Sequence, residues 1–230
     1  MTIRIGDLVD ASGTTVRWIE INRAARANAL DLADLIELGS RIESSGTGDD
    51  IGALVICAVG GRHFCAGADQ QESQSAERAE AYRGNLGKLL ATCLGLGKPV
   101  VAAIEGSAVG GGAMLACAVD RAIVADDTFF SFPEIDMSVP PLLAFELLTD
   151  FVGASVARDW ICTGRRIPSR EALDRGLIAE LVPRAQVRAV AGQAALSLAA
   201  KPRHAYARLK RHIGERYQSV IERSLRRQVL

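Results

Sequence analysis

The stretch Ile104-Glu105-Gly106-Ser107-Ala108-Val109-Gly110-Gly111-Gly112-Ala113-Met114-Leu115-Ala116-Cys117-Ala118-Val119-Asp120 decides how this chain is read. An apolar, strand-like segment from Pro99 to Ile104 feeds a turn of small residues, then three glycines, then a helix-compatible run of Ala, Met and Leu. Glycines at a helix start leave backbone N–H groups bare, with no Cβ to block approach and with the positive end of the helix dipole behind them. That arrangement suits an oxyanion or a phosphate. The plain structural alternative is a glycine-rich turn packed against a neighbour. Neither Gly-Lys-Ser/Thr nor G-x-G-x-x-G is present, so the run is not one of the common nucleotide loops.

Two other segments belong with it. Ile51 to Val59 reads as a buried strand and ends in Gly60-Gly61-Arg62-His63-Phe64-Cys65-Ala66-Gly67-Ala68-Asp69, a second loop able to present a backbone donor. Two N–H groups aimed at one point make an oxyanion hole for the charge that develops on a thioester or ester carbonyl. Phe130-Ser131-Phe132-Pro133-Glu134-Ile135-Asp136 sets a carboxylate among aromatic and apolar neighbours. Desolvation there raises a carboxyl pKa toward the range useful to a general base. Asp136 is a secondary candidate by proximity.

The sequence resembles the crotonase superfamily, the enoyl-CoA hydratases and isomerases. The resemblance rests on Asn22-Arg23 with Arg26-Ala27-Asn28-Ala29-Leu30, on Phe64 to Asp69, and on Lys98-Pro99 through Gly110-Gly111-Gly112. Asp120, Phe132-Pro133-Glu134-Ile135 and Thr163-Gly164-Arg165-Arg166-Ile167 follow in the family's order. It implies an α/β fold: a spiral core of ββα repeats over 1–185, with a C-terminal helical region over 186–230 that serves oligomerisation. It implies that the N–H groups of Ala68 and Gly111 form the oxyanion hole and that Glu134 is the acid/base. The Ala66 carbonyl would meet the adenine of coenzyme A and Arg26 its phosphates. Gly67, Gln70, Gly110, Met114 and Pro133 would line the substrate's path.

The position of the hydratases' second carboxylate falls on Met114, which cannot carry a proton. A single glutamate opposite an apolar residue resembles the family's Δ3,Δ2-enoyl isomerases. Ser138-Val139-Pro140-Pro141-Leu142-Leu143 stands where a glycine-rich loop is usual and stiffens that wall. Gln71, beside Gln70, replaces a lysine that often meets the coenzyme's phosphate. The segment from Arg184 through Lys201-Pro202-Arg203 to Arg223 is similar to the tails of crotonase-like enzymes of polyketide pathways, which act on carrier-protein thioesters and in some cases decarboxylate. The expected function is therefore an enolate-stabilising acyl-thioester enzyme, isomerase- or hydratase-like. The alternatives are a polyketide-type decarboxylase and a non-catalytic binding member. No cofactor is expected beyond coenzyme A or phosphopantetheine as carrier, and a homotrimer or hexamer is expected.

Composition fits. Lys plus Arg and Asp plus Glu stand at 27 each, so no global field favours nucleic acid or a membrane. Met1 to Asp7 lacks a signal-peptide pattern and no apolar run reaches about 18 residues, so the expected compartment is the cytoplasm. The 5 cysteines, unspaced for metal or disulfides, read as buried inert thiols. Strands are predicted at Thr15–Ile21, Ile51–Val59, Val100–Glu105 and Arg121–Val124. Helices are predicted over Asp31–Ser44, Ala76–Leu94 and most of the chain from Ala144, with Ser169 as an N-cap. Asp69 is predicted to cap the helix after its loop, Glu105 to bond the glycine loop, and His63 to lie on a loop. The basic tail reads as an amphipathic helix pair with Ala205, Leu209, Ile213, Val220, Ile221 and Leu225 inward. A docking patch for an acidic carrier, including Lys210, is the alternative.

Overall fold

The computed structural model describes residues 2–73 and 75–227. Strands β1 (Ile3–Val9) and β2 (Thr15–Ile21) form an antiparallel hairpin, followed by α1 (Leu32–Thr47). Three repeats then place one strand in a large sheet, one in a small sheet, and a helix after them. They are β3 (Ile51–Ala58), β4 (His63–Cys65), α2 (Ala76–Gly95); β5 (Val100–Ile104), β6 (Ser107–Val109), α3 (Gly111–Cys117); and β7 (Arg121–Ala125), β8 (Phe129–Ser131), α4 (Leu142–Val152). Helices α5 (Ala154–Thr163), α6 (Ser169–Asp174), α7 (Val187–Ala199) and α8 (Arg203–Arg227) follow, with the short strands β9 (Ile167–Pro168) and β10 (Glu180–Val182) among them. The large sheet runs β1-β2-β3-β5-β7-β10 and is parallel from β2 onward; the small one runs β4-β6-β8-β9. This is the expected spiral of ββα repeats.

The central strands are buried on both faces, which is why they read as unbroken apolar runs. In β3, Leu54 and Ile56 pack toward the main core, while Ala53, Val55 and Cys57 face the other way. That second face is covered by α7 through Val187, Ala191 and Ala195, one helical stripe.

Several local expectations change. On α8, Ile221 is buried and Ile213 and Leu225 pack against the core as expected, but Ala205 and Leu209 are exposed, and the buried stripe also holds Lys210, Gly214, Tyr217 and Ser224. Lys210 turns inward because its Nζ donates to Asp120 Oδ1 and to the Cys93 carbonyl, both at 2.7 Å, which removes it from any docking patch. Gly214 faces in because a Cβ there would stand 2.6 Å from Gly95 Cα of α2. Ser169 is the first residue of α6 rather than its cap, and its hydroxyl donates to the Asp126 carbonyl at 2.8 Å. Glu105 pairs with Arg188 at 2.9 Å instead of with the glycine loop. His63 lies in β4, its Nδ1 2.7 Å from Ser107 Oγ, while His204 and His212 are exposed. Cys162 is exposed; the other cysteines are buried.

Candidate active site

Four loops that follow strands meet at one place. Asn28 builds the first: its Oδ1 accepts from Arg23 N, and its Nδ2 donates to the carbonyls of Val59 and His63 at 3.0 and 2.7 Å. This ties Ala24–Leu30 to the β3–β4 turn. Arg23 Nη1 donates to Asp69 Oδ2 and to the Ala29 carbonyl, both at 2.8 Å. Leu30 N donates to the Gly67 carbonyl, Asp69 N to the Leu30 carbonyl, and Ala66 N to the Ala27 carbonyl. Asp69 Oδ1 accepts from Gln71 N and so caps the short turn Gln70–Ser73, while Ser75 caps α2 itself.

The second and third loops are locked by glycines. Gly67 has φ +88°, and a Cβ there would lie 2.9 Å from the Val109 carbonyl oxygen and 3.4 Å from Gly111 N. A Cβ at Gly112 would collide with the Cys65 carbonyl. The Ala66–Ala68 loop therefore sits directly on the start of α3. Ala68 is exposed and Gly111 half-buried, and neither N–H has a hydrogen-bond partner among the described residues. For Gly111 this follows from its place as the first helical residue, whose N–H has no partner one turn back. Helix α3 has only 7 residues, so it offers the bare N–H more than a sizeable dipole.

Glu134 comes from the turn Pro133–Met137, after β8 and the buried Phe132. The bond from Gly110 N to the Ser131 carbonyl, 2.9 Å, fixes that turn against the glycines. Gly110 has φ +53°, and a Cβ there would stand 2.9 Å from Glu134 Oε1. Glu134 Oε2 is enclosed and has no hydrogen-bond partner among the described residues. Burial pushes its pKa up to about 7 from 4.5. The following loop is held by Val139 N donating to the Glu134 carbonyl and by Pro140-Pro141 before α4. Met114, 7% exposed, packs in the core on α3, and Asp136 is exposed. A cavity of about 420 Å³ opens beside these loops, lined by Ala24, Ala25, Ala27, Asn28, Val59 and Gly60 with Arg62 and His63. Arg26 stands exposed at the turn preceding Ala27, and Gln70 is exposed beyond Ala68.

The sequence matches the profile described as enoyl-CoA hydratase/isomerase over residues 11–229. The chain belongs to this family. It is 29% identical over 180 residues to the 2,3-dehydroadipyl-CoA hydratase of Escherichia coli (strain K12), covering 78% of this chain and 70% of that protein. It is 32% identical over 183 residues to the peroxisomal Delta(3,5)-Delta(2,4)-dienoyl-CoA isomerase of Arabidopsis thaliana, covering 73% of this chain and 66% of that protein. The crystal structure of an enoyl-CoA hydratase from Bacillus anthracis matches with a TM-score of 0.84 and 26% identity, covering 97% of this chain and 90% of that one.

The sequence outlined this arrangement only in part. Tyr82 and Leu86, on α2, flank Gly111: a Cβ there would meet Leu86 Cδ2 at 3.3 Å and the Tyr82 hydroxyl at 3.7 Å. Their spacing, one helical turn, marks an inward face but not what that face touches. Cys65 is no nucleophile: it is buried, and burial pushes its thiol up to about 11. Among the described residues no cluster of His, Cys, Asp and Glu could hold a metal, and no helix is long and apolar enough to cross a membrane.

Proposed function

We propose that this protein moves a proton within an acyl thioester, converting a 3-enoyl to a 2-enoyl group. The observation that carries this reading is Glu134, a lone carboxylate with one oxygen unpartnered and a pKa of about 7, lying against Gly110. In the proposed cycle Glu134 takes a proton from the carbon next to the thioester carbonyl. The electron pair moves into the carbonyl, and the N–H groups of Ala68 and Gly111 hold the enolate oxygen. Glu134 then returns the proton two carbons further along, leaving the double bond conjugated with the carbonyl. A pKa near the working pH suits both halves of that transfer.

Hydration asks for two carboxylates to hold and split one water. Met114 occupies the second position, and Asp136 faces solvent. The relatives' names include both hydratases and isomerases; the lone carboxylate favours isomerisation here. Coenzyme A is the proposed carrier, its nucleotide end at the cavity bordered by Arg62 and His63 near Arg26, with Ala66, Gly67 and Gln70 along the path and Pro133 opposite. A homotrimer or a hexamer is the proposed assembly.

The test is a panel of 3-enoyl, 2-enoyl and malonyl thioesters, on coenzyme A and on acyl carrier protein, read by mass. Isomerisation leaves the mass unchanged. A gain of water would replace this reading with hydration, a loss of carbon dioxide with decarboxylation, and tight binding without turnover with a non-catalytic role.

A further inference from the structure

The Tyr82 hydroxyl is a polar group that the chemistry above does not use. The residue is 6% exposed, and among the described residues nothing hydrogen-bonds its phenol. The hydroxyl oxygen itself is not sealed in among the enclosed unpartnered atoms, so a ligand can reach it. Its oxygen lies 3.7 Å from the position a Gly111 Cβ would take. Two ordinary bonds separate that position from Gly111 N, so the phenol oxygen is no more than about 7 Å from the bare N–H. A thioester seated on that N–H fits within such a span.

The surroundings narrow the role. Glu134 reaches the neighbouring residue, its Oε1 2.9 Å from the Gly110 Cβ position, so carboxylate and phenol flank the Gly110–Gly111 peptide without bonding each other. Leu86 lies beside the phenol on the Gly111 side and supplies no donor. Burial, with Cys65, Glu72, Asp31 and Glu134 adding to it, holds the phenol well above the usual tyrosine range, so it stays a proton donor at neutral pH. Met114 brings no polar group of its own.

Resting on the reading of Gly111 as an oxyanion donor, we infer that the Tyr82 hydroxyl is a third donor to the substrate's thioester oxygen. The phenol keeps its proton throughout; its bond to the oxygen strengthens as charge builds there. The contact is worth more to the enolate than to the ground-state thioester, so its loss appears in kcat rather than in KM.

The experiment uses acetoacetyl-coenzyme A, whose enolate has its own near-ultraviolet absorbance, titrated with pH while bound to the wild type and to Tyr82→Phe. The wild type is expected to favour the enolate relative to free solution, and Tyr82→Phe to lose part of that preference. Turnover of a 3-enoyl-coenzyme A should fall on the order of a hundredfold in kcat with KM little changed. Placing 3-fluorotyrosine at position 82 strengthens the donor and should raise the enolate fraction. A wild type that favours the enolate, with Tyr82→Phe matching it and keeping kcat within about threefold, overturns the Tyr82 role alone. A wild type that leaves the ionisation as it is in solution overturns the oxyanion reading, and the Tyr82 role with it.

Discussion

The surroundings of Glu134 bear on both its proposed chemistry and the protein's stability. Its pKa is raised from 4.5 to about 7, so the folded protein holds a proton that the unfolded chain has already lost. Between those values the folded state binds more protons, and its stability falls as pH rises through the window. Above about 7 the carboxylate is charged in both states and its burial cost is felt in full. Glu134→Gln is therefore expected to be more stable than the wild type at pH 8, by up to about 3 kcal/mol, with the advantage vanishing below pH 4.5. Calorimetric melting across that range checks it; a pH-independent difference would mean the carboxyl is not desolvated. Activity should rise with pH through about 7 and then level, because the base form starts the cycle. Gly111→Pro deletes a backbone N–H that has no partner among the described residues and keeps a residue suited to the first helical position. A hundred- to thousandfold loss of kcat in a folded protein is expected, and unchanged turnover would remove Gly111 from the oxyanion hole.

How far an element could be read from the sequence depended on whether its burial leaves a pattern. Strands β3, β5 and β7, enclosed on both faces, stand out as apolar runs and lie within about a residue of expectation. In β1 only Ile3 is buried, so it carries no alternation and went unread; β10 and the small-sheet strands span 3 residues or fewer, too short for a period of two. Helix α8 was legible as a helix but only in part in its orientation: Ile213, Ile221 and Leu225 face the core, Leu209 does not. A periodicity rule places leucine inward and lysine outward, and it cannot foresee that Asp120 waits beneath Lys210 or that Gly95 admits only Gly214. The same pair gives a prediction. Lys210, 2% exposed, bridges α8 to Asp120, whose Oδ2 also accepts from Val100 N at the edge of β5. Lys210→Met strands a partly buried carboxylate and should cost about 3–5 kcal/mol in denaturant unfolding. A loss under about 1 kcal/mol would show that the bridge adds nothing beyond a surface pair.

The molecule as a whole explains why the site was visible as residues but not as geometry. Each ββα repeat is a local unit, yet the site lies where loops from separate repeats converge: Ala66–Ala68 after β4, Gly110–Gly111 after β6, Glu134 after β8. The glycines and the Pro-Glu could be picked out in sequence because their backbone and burial demands are local. Tyr82 could not, since its meaning comes from α2 lying across the start of α3. The proposed trimer or hexamer belongs here too: Ile135 and Met137, exposed in the Glu134 turn, leave apolar surface beside the site. Light scattering at micromolar concentration should give three or six times the chain mass, and a monomer would rule that assembly out. The proton-transfer account itself turns on one comparison, wild type against Glu134→Gln, each mixed with a 3-enoyl-coenzyme A in deuterated water. The wild type should deliver the 2-enoyl isomer, with no water added and deuterium entering only through exchange at Glu134, while the folded Gln variant binds the thioester yet turns it over about 10²–10⁴-fold more slowly. Undiminished isomerisation by the Gln variant would mean that a group other than Glu134 moves the proton.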